Sequence, residues 1–89
     1  MNNDKIINKL KKYWNHVYIW IDKPNVIYEN HKHPYDTKII IVKGEMNLVI
    51  DKKKHHLKSG DETIIKNNED HQAEIGENGC EYIVAEQKK

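Results

Sequence analysis

The pattern of apolar and polar residues changes character after about residue 16. Before that point, apolar residues recur at helical spacing, with lysines on the opposite side, and Asn3 or Asp4 stands where a helix cap is expected. The pattern predicts a short helix over about residues 3–14. Because three turns are marginal alone, we expect this helix to cover an open end or edge of a sheet.

From residue 17 onward, short alternating or wholly apolar runs are separated by turn-forming residues. Lys43-Gly44 is interpreted as a turn and residues 76–79 as a hairpin loop, which gives about eight short strands. The close, even spacing predicts an all-β fold, an antiparallel sandwich or small barrel over about residues 17–86. The one helix comes first, so no parallel βαβ unit fits.

The size and charge of the chain argue against several classes of function. Its 89 residues make a single domain, and fifteen lysines, with no arginine, nearly balance fourteen acidic residues to give a net charge of +1. This balance argues against a nucleic-acid partner. No signal peptide or membrane-length apolar run is visible, and the lone Cys80 has no disulfide partner within the chain. We expect a cytoplasmic protein with no membrane partner.

His31 and His33 lie between two strand-like runs and form the strongest chemical signal. On a strand both would project from one face, with their rings roughly parallel, and neutral imidazole is the commonest metal ligand near pH 7. His71 on a distant strand is the candidate third ligand. The spacing leaves an alternative open, in which the pair is surface-exposed and His71 simply begins a strand.

These residues resemble the two-motif signature of the cupins, which are small jelly-roll β-barrels. His31-Lys32-His33, Gly44, Gly60-Asp61 and His71 carry the likeness, which covers about residues 17–86. The short spacing between Gly44 and Gly60 is similar to that of small single-domain bacterial and archaeal cupins. The resemblance implies metal ligands at His31, His33 and His71.

The chain departs from the cupin pattern at several positions. Thr37 stands where the family has a glutamate ligand, and Asn25 replaces the first glycine. Lys66 and Asn68 replace the proline and glycine of the second motif, and Ile75 replaces its final asparagine. Threonine is a poor metal ligand, so the site is predicted to be a three-histidine centre with open coordination positions.

Asp36 is the acid nearest to the missing glutamate. Strict alternation from His33 turns Asp36 away from the histidine face, unless Pro34 breaks the alternation. Asp36, like Thr37, is therefore a less favoured metal ligand, and an outer role for Asp36, bonded to a lysine or a ligand histidine, is favoured. Three imidazoles suit a divalent transition metal such as Zn, Fe, Ni, Cu or Mn.

Other residues are weaker candidates. Tyr35, Cys80 and Tyr82 are candidate pocket-lining residues, although burial as a small core residue is the favoured interpretation of Cys80. The adjacent His55 and His56 point to opposite faces of a strand and so do not chelate one metal together.

Three functions remain open. The first is a metal-dependent enzyme, dioxygenase- or isomerase-like, acting on an unidentified small molecule; Glu29, Asp36 and Glu45 are its candidate bases. The second is a non-catalytic module that binds or senses a metal or small ligand. The third is a structural barrel with a vestigial site. Because residues 17–21 and 37–42 are apolar on both faces, we also expect a homodimer.

Overall fold

The computed structural model describes residues 2–88, which contain one helix followed by six strands. In chain order these are α1 (Asn3–Leu10), β1 (His16–Asp22), β2 (Ile27–His31), β3 (Thr37–Ile50), β4 (Lys53–Lys58), β5 (Glu62–Ile65) and β6 (His71–Glu86). Every strand pair is antiparallel, and this confirms the predicted all-β class with a short N-terminal helix.

The two long strands, β3 and β6, pair with each other and connect the two halves of the fold. At one end, β1 joins β6 and β5 joins β3; at the other end, β2 joins β6 and β4 joins β3. Side chains from both halves meet in one hydrophobic core. Its most buried members include Ile41, Met46, Leu48 and Ile75. The barrel interior therefore lies between two halves that share the same long strands.

The prediction of eight separate strands is wrong, because two predicted turns lie inside continuous strands. Lys43-Gly44 is a bend within β3, and residues 76–79 are part of β6. The pairing register of β3 with β6 shifts on both sides of Gly44. Gly44 has φ +82°, and a Cβ atom there would collide with the carbonyl of Gly79. Such irregularities bend a strand without ending it.

Helix α1 lies against β1 and β6. The predicted caps, Asn3 and Asp4, are wrong by one residue or more, because Asn2 Oδ1 accepts the hydrogen bond from the Lys5 backbone N–H at 3.1 Å. The helix ends at Leu10, earlier than the apolar pattern suggests. Within residues 2–88, no helix is long and apolar enough to cross a membrane.

Candidate metal centre

The sheet brings the three predicted histidines together. His31 at the end of β2 is the direct cross-strand partner of His71 at the start of β6, and their ring centroids lie 4.1 Å apart. The ring of His33 lies 4.8 Å from that of His31 and 5.0 Å from that of His71, measured between centroids. One ligand nitrogen from each residue falls within 4.8 Å of the others. This is a distance at which three imidazoles can share one metal ion.

The rings of His31 and His33 are not parallel as expected, but are tilted by 50°. The expectation fails because β2 ends at His31, so His33 lies in an irregular segment outside the strand. The His33 carbonyl accepts a hydrogen bond from the Asn68 backbone N–H at 2.7 Å, which ties this segment to the turn before β6. The tilt lets the three rings converge, whereas parallel rings would lie side by side.

Two of the histidines are held in a defined tautomer. His31 Nδ1 lies 2.6 Å from the carbonyl oxygen of Glu29, and His71 Nδ1 lies 3.1 Å from that of Glu69. A carbonyl oxygen only accepts hydrogen bonds, so each Nδ1 carries the proton and donates it. In the neutral ring this leaves the Nε2 lone pair free, and such an outer hydrogen bond is typical of metal-binding histidines.

The environment favours the neutral form of two of these rings. Burial lowers the pKa of His33, and the neighbouring His71 and His31 lower it further. Burial also lowers the pKa of His71, although its hydrogen bond to the Glu69 carbonyl acts in the opposite direction. Because a metal ion binds only the deprotonated ring, these shifts reduce competition from protons near neutral pH.

Asp36 lies apart from the histidine group. Its Oδ1 accepts a hydrogen bond from the Asn67 backbone N–H at 2.8 Å, so its carboxylate holds the turn between β5 and β6. Its carbonyl oxygen also accepts a bond from the Gln87 backbone N–H at 3.1 Å. Both bonds fasten the segment that carries His33, which gives Asp36 a supporting position near the site.

Thr37 lies where alternation places it, facing the same cavity as the histidines. It is only 5% exposed, and its Oγ1 has no hydrogen-bond partner within residues 2–88. Its direct partner across the β3–β6 ladder is Glu86, which is also 5% exposed and faces the cavity. The buried carboxylate of Glu86 therefore lies across the sheet from Thr37, the position at which the cupin pattern has a glutamate ligand.

The histidines open into a cavity of about 260 Å³. Its polar contributors are the three histidines, Thr37 and Glu86, together with rings of tyrosine and tryptophan. The other walls are apolar and include Ile39, Leu48, Ile65 and Val84. A cavity of this size can hold a small molecule beside a metal ion. Because most of its walls are apolar, the few polar side chains would determine how the molecule is oriented.

The three predicted pocket residues take different positions. Tyr82 lines the cavity, and its hydroxyl donates to Asp22 Oδ2 at 2.6 Å. Tyr35 stacks on His33, with ring centroids 5.0 Å apart, and its hydroxyl donates to Glu86 Oε2 at 3.3 Å. Cys80 is buried in the core, where burial and then the charge of Asp22 raise its thiol pKa to about 11. A thiol in this environment is a poor nucleophile.

His55, His56 and the three candidate bases lie outside this group. His56 Nε2 and Glu45 Oε2 form an exposed pair at 2.6 Å, and the side chain of Glu29 is exposed. His55 pairs in register with the core residue Leu48, on the strand pair β3–β4. None of the three candidate bases, Glu29, Asp36 and Glu45, lines the cavity.

The cavity carboxylate, Glu86, was missed in the sequence analysis. Tyr82, Val84 and Glu86 alternate on one face of the last strand, but this pattern does not distinguish Glu86 from a solvated acid. An acid at the end of a strand is ordinarily solvated, and the pattern alone does not show that β1 and β3 cover both sides of β6.

Comparison with known proteins agrees with this architecture. The family model described as the cupin domain matches residues 18–85. No curated protein sequence matches the chain significantly.

Several solved structures share the fold at low sequence identity. A conserved protein of unknown function from Streptococcus pyogenes has a TM-score of 0.73 at 15% identity, over 82% of this chain and 63% of its own. A variant of oxalate decarboxylase from Bacillus subtilis gives 0.75 at 18% identity, over 81% and 20% of the respective chains. The DMSP lyase DddQ from Ruegeria pomeroyi gives 0.75 at 18% identity, over 82% and 38%. This chain thus spans less than two thirds of each of these proteins.

Proposed function

Since this chain belongs to the cupin domain family, we propose that it is a small metal-binding cupin whose histidine centre binds a small molecule. The single observation that carries the proposal is the convergence of His31, His33 and His71, with ligand atoms within 4.8 Å of one another. The free Nε2 lone pairs of His31 and His71 support it, since their Nδ1 protons are already donated to carbonyls.

The donor set fits a divalent transition metal. Three imidazole nitrogens without a carboxylate suit Zn, Fe, Ni, Cu or Mn, and are a poor match for Mg or Ca, which prefer oxygen ligands. His33 Nδ1 is a buried ring nitrogen without a hydrogen-bond partner in the described chain, as expected of a residue that completes its contacts with a bound group. When bound, such a metal polarises a ligand oxygen or lowers the pKa of bound water.

We favour a metal-dependent enzyme, of dioxygenase or isomerase type, acting on a small molecule. The walls of the cavity are largely apolar, so few polar groups compete for contacts with a bound substrate. The carbonyls of Glu29 and Glu69 fix two histidine rings, and Tyr35 stacks on the third. Glu86, buried in the same cavity, is the side chain placed to accept a proton from a bound substrate.

The second candidate is a non-catalytic module that binds a metal or a small ligand. One observation favours it: the Glu86 Oε2 atom already receives the Tyr18 and Tyr35 hydroxyls, at 3.4 and 3.3 Å. These two hydroxyls occupy acceptor positions that a catalytic base would offer to a substrate proton. In this case the cavity would select a ligand without transforming it.

We also propose that the protein forms a homodimer and is located in the cytoplasm. Ile19 and Ile21 on strand β1 and Ile64 on strand β5 are exposed to solvent in the single chain. Burial of these side chains against a second copy would stabilise both chains through the hydrophobic effect.

The metal site is tested by metal content. Untagged protein, stripped with a chelator and reloaded with zinc or cobalt, is expected to hold about one metal per chain by elemental analysis. His31→Ala and His71→Ala should each abolish stoichiometric binding, because two imidazoles bind far more weakly than three. His56→Ala, an exposed histidine outside the cavity, is the matched control and should bind like the wild type.

Absence of metal in the reloaded wild type would refute the proposal. Unchanged binding in either alanine variant of the site would show that the ligands are wrongly assigned. Turnover or oxygen consumption by the iron-loaded protein, across a panel of small organic acids and alcohols, separates the enzyme from the binding module. A protein that binds such compounds but never consumes them supports the module.

A further inference from the structure

Three buried polar atoms beside the cavity have no hydrogen-bond partner within residues 2–88. They are His33 Nδ1, Thr37 Oγ1 and Glu86 Oε1, and all three side chains line the cavity. Leaving such atoms unpaired costs free energy, so native proteins rarely gather them in one place without a purpose. The histidine is explained by the proposed metal site. The pair Thr37 and Glu86 requires a separate explanation.

The carboxylate of Glu86 has several polar neighbours, but its acceptor capacity is not filled. Its Oε2 accepts the hydroxyls of Tyr18 and Tyr35, at 3.4 and 3.3 Å. Its Oε1 lies 3.4 Å from Lys88 Nζ and 3.9 Å from His16 Nε2, within salt-bridge distance but without hydrogen-bond geometry. The Lys88 ammonium partly balances the negative charge, while the lone pairs of Oε1 remain able to accept a hydrogen bond.

Thr37 complements this acceptor. Thr37 and Glu86 are directly opposite on β3 and β6, so their side chains lie on the same face of the sheet. The Thr37 hydroxyl both donates and accepts, whereas the Glu86 carboxylate only accepts. A ligand hydroxyl matches the pair, since it donates to Glu86 and accepts from Thr37. An anionic group placed beside this pair would be repelled by Glu86, and a cationic group there by Lys88, so a neutral hydroxyl is the group that fits this position.

We propose that Thr37 and Glu86 are specificity residues that select a hydroxyl group, so that the small molecule bound here is a hydroxycarboxylic acid. Its carboxylate binds at the histidine-held metal and its hydroxyl at Thr37 and Glu86. Its carbon chain lies against the apolar wall that includes Ile39 and Val84. The volume of about 260 Å³ accommodates a short chain. This inference rests on the proposed metal-binding function.

The test uses a series of acids that differ only in one hydroxyl group. Cobalt-loaded protein is titrated with butyrate and with 2-, 3- and 4-hydroxybutyrate, and dissociation constants are taken from changes in the visible cobalt absorption. The best hydroxybutyrate is expected to bind about tenfold more tightly than butyrate, the gain of one well-placed hydrogen-bond pair in a buried site. The position of the hydroxyl in the preferred acid indicates the distance between the proposed metal site and the Thr37–Glu86 pair.

Two variants assign the preference to the proposed residues. Thr37→Val keeps the side-chain shape but removes the hydroxyl, and Glu86→Gln keeps the size but removes the charge. Each should reduce the hydroxyl preference to about threefold or less. Thr37→Val removes one of the two hydrogen bonds, and Glu86→Gln replaces a charge-assisted bond by a neutral one of roughly half the strength. The readout is the ratio of hydroxybutyrate affinity to butyrate affinity within each variant, because Glu86→Gln also removes a negative charge that repels any anion in the cavity. The cobalt content of each variant is measured by elemental analysis, so that a loss of metal is not taken for a loss of hydroxyl preference.

The outcomes separate the two proposals. Failure of the wild type to bind cobalt overturns the metal site, and this inference with it. Normal cobalt binding with equal affinity for all four acids overturns the hydroxyl selection alone. A hydroxyl preference that persists in both Thr37→Val and Glu86→Gln also overturns it, because the preference must then arise from other residues.

Discussion

The carboxylate of Asp22 organises the aromatic side chains along one side of the cavity. Its Oδ1 accepts hydrogen bonds from Trp20 Nε1 at 2.9 Å and from the Tyr28 hydroxyl at 2.6 Å. Its Oδ2 accepts the Tyr82 hydroxyl at 2.6 Å. Burial, followed by the bond to Asp22, raises the pKa of both tyrosines, which therefore remain protonated donors. A single buried acid thus fixes three rings that line the site.

Asp22→Ala should lower the free energy of unfolding by about 3 kcal/mol, because three donors lose their shared acceptor and one of them, the Tyr82 hydroxyl, is buried and costly to leave unpaired. Asp22→Asn should cost only about 1–2 kcal/mol, since the amide keeps one acceptor oxygen and its NH₂ can donate to a tyrosine hydroxyl. Urea unfolding near pH 7 measures both values. Equal losses in the two variants would contradict this account.

At the residue scale, the sequence predicted the histidines but not the acids. His31 and His33 carry a recognisable spacing, and His71 follows from the family pattern. Asp22 and Glu86 are ordinary acids at the ends of strands, and no local pattern distinguishes them from solvated side chains. Their burial depends on β1, β3 and β6 lying side by side, which is a property of the tertiary structure.

At the scale of elements, β3 and β6 are long bent strands where the sequence indicated shorter ones. Gly44 was interpreted as a turn because glycine between two apolar runs usually ends a strand. In the structure, the positive φ of Gly44 allows β3 to bend at this position. Because Gly44 has no Cβ atom, β3 can also pass close to the Gly79 carbonyl. The strand type of these segments was predictable, but their continuity was not, because it depends on pairing partners.

Gly44→Ala and Gly60→Ala form a matched pair that separates two effects. Both glycines have positive φ, +82° and +93°, but a Cβ at Gly60 meets nothing within 4 Å, whereas one at Gly44 collides with the Gly79 backbone. Gly60→Ala should cost about 1–2 kcal/mol of unfolding free energy from backbone strain alone.

Gly44→Ala should cost at least about 3 kcal/mol, because overpacking adds to the strain, or it should prevent folding. Chemical denaturation measures both changes. Similar losses of unfolding free energy in the two variants would contradict this account, because they would mean that the backbone around Gly44 and Gly79 shifts to accommodate the added methyl group at little cost.

At the scale of the whole molecule, a bound metal would connect elements that are distant in the chain. His31 ends β2 and His71 begins β6, whereas His33 lies in the segment that leads into β3. A ligand that binds the folded state alone stabilises it by mass action. The proposed metal should therefore act as a clamp on the half of the barrel formed by β2 and β6.

Saturation with zinc should raise the stability by about 2.7 kcal/mol at a free concentration one hundred times the dissociation constant. For a domain of this size, that corresponds to an increase in melting temperature of roughly 10–20 °C. A chelator should reverse the increase, and His71→Ala should not show it. Calorimetry with His56→Ala as the control measures the effect; an equal increase in His71→Ala would indicate binding elsewhere.

The pairing of β6 with three other strands also determines the order in which the protein can form. β1, β2 and β3 all take residues of β6 as neighbours, yet β6 follows every one of them in the chain. During synthesis, the β3–β4 hairpin can close early, but β1 and β2 have no partner until residues 71–86 emerge. Folds dominated by such distant pairing fold slowly, in milliseconds to seconds. The histidine centre therefore depends on a contact between distant parts of the chain, because His31 meets His71 only when β2 and β6 pair, and a metal ion bound there reports that this pairing has formed.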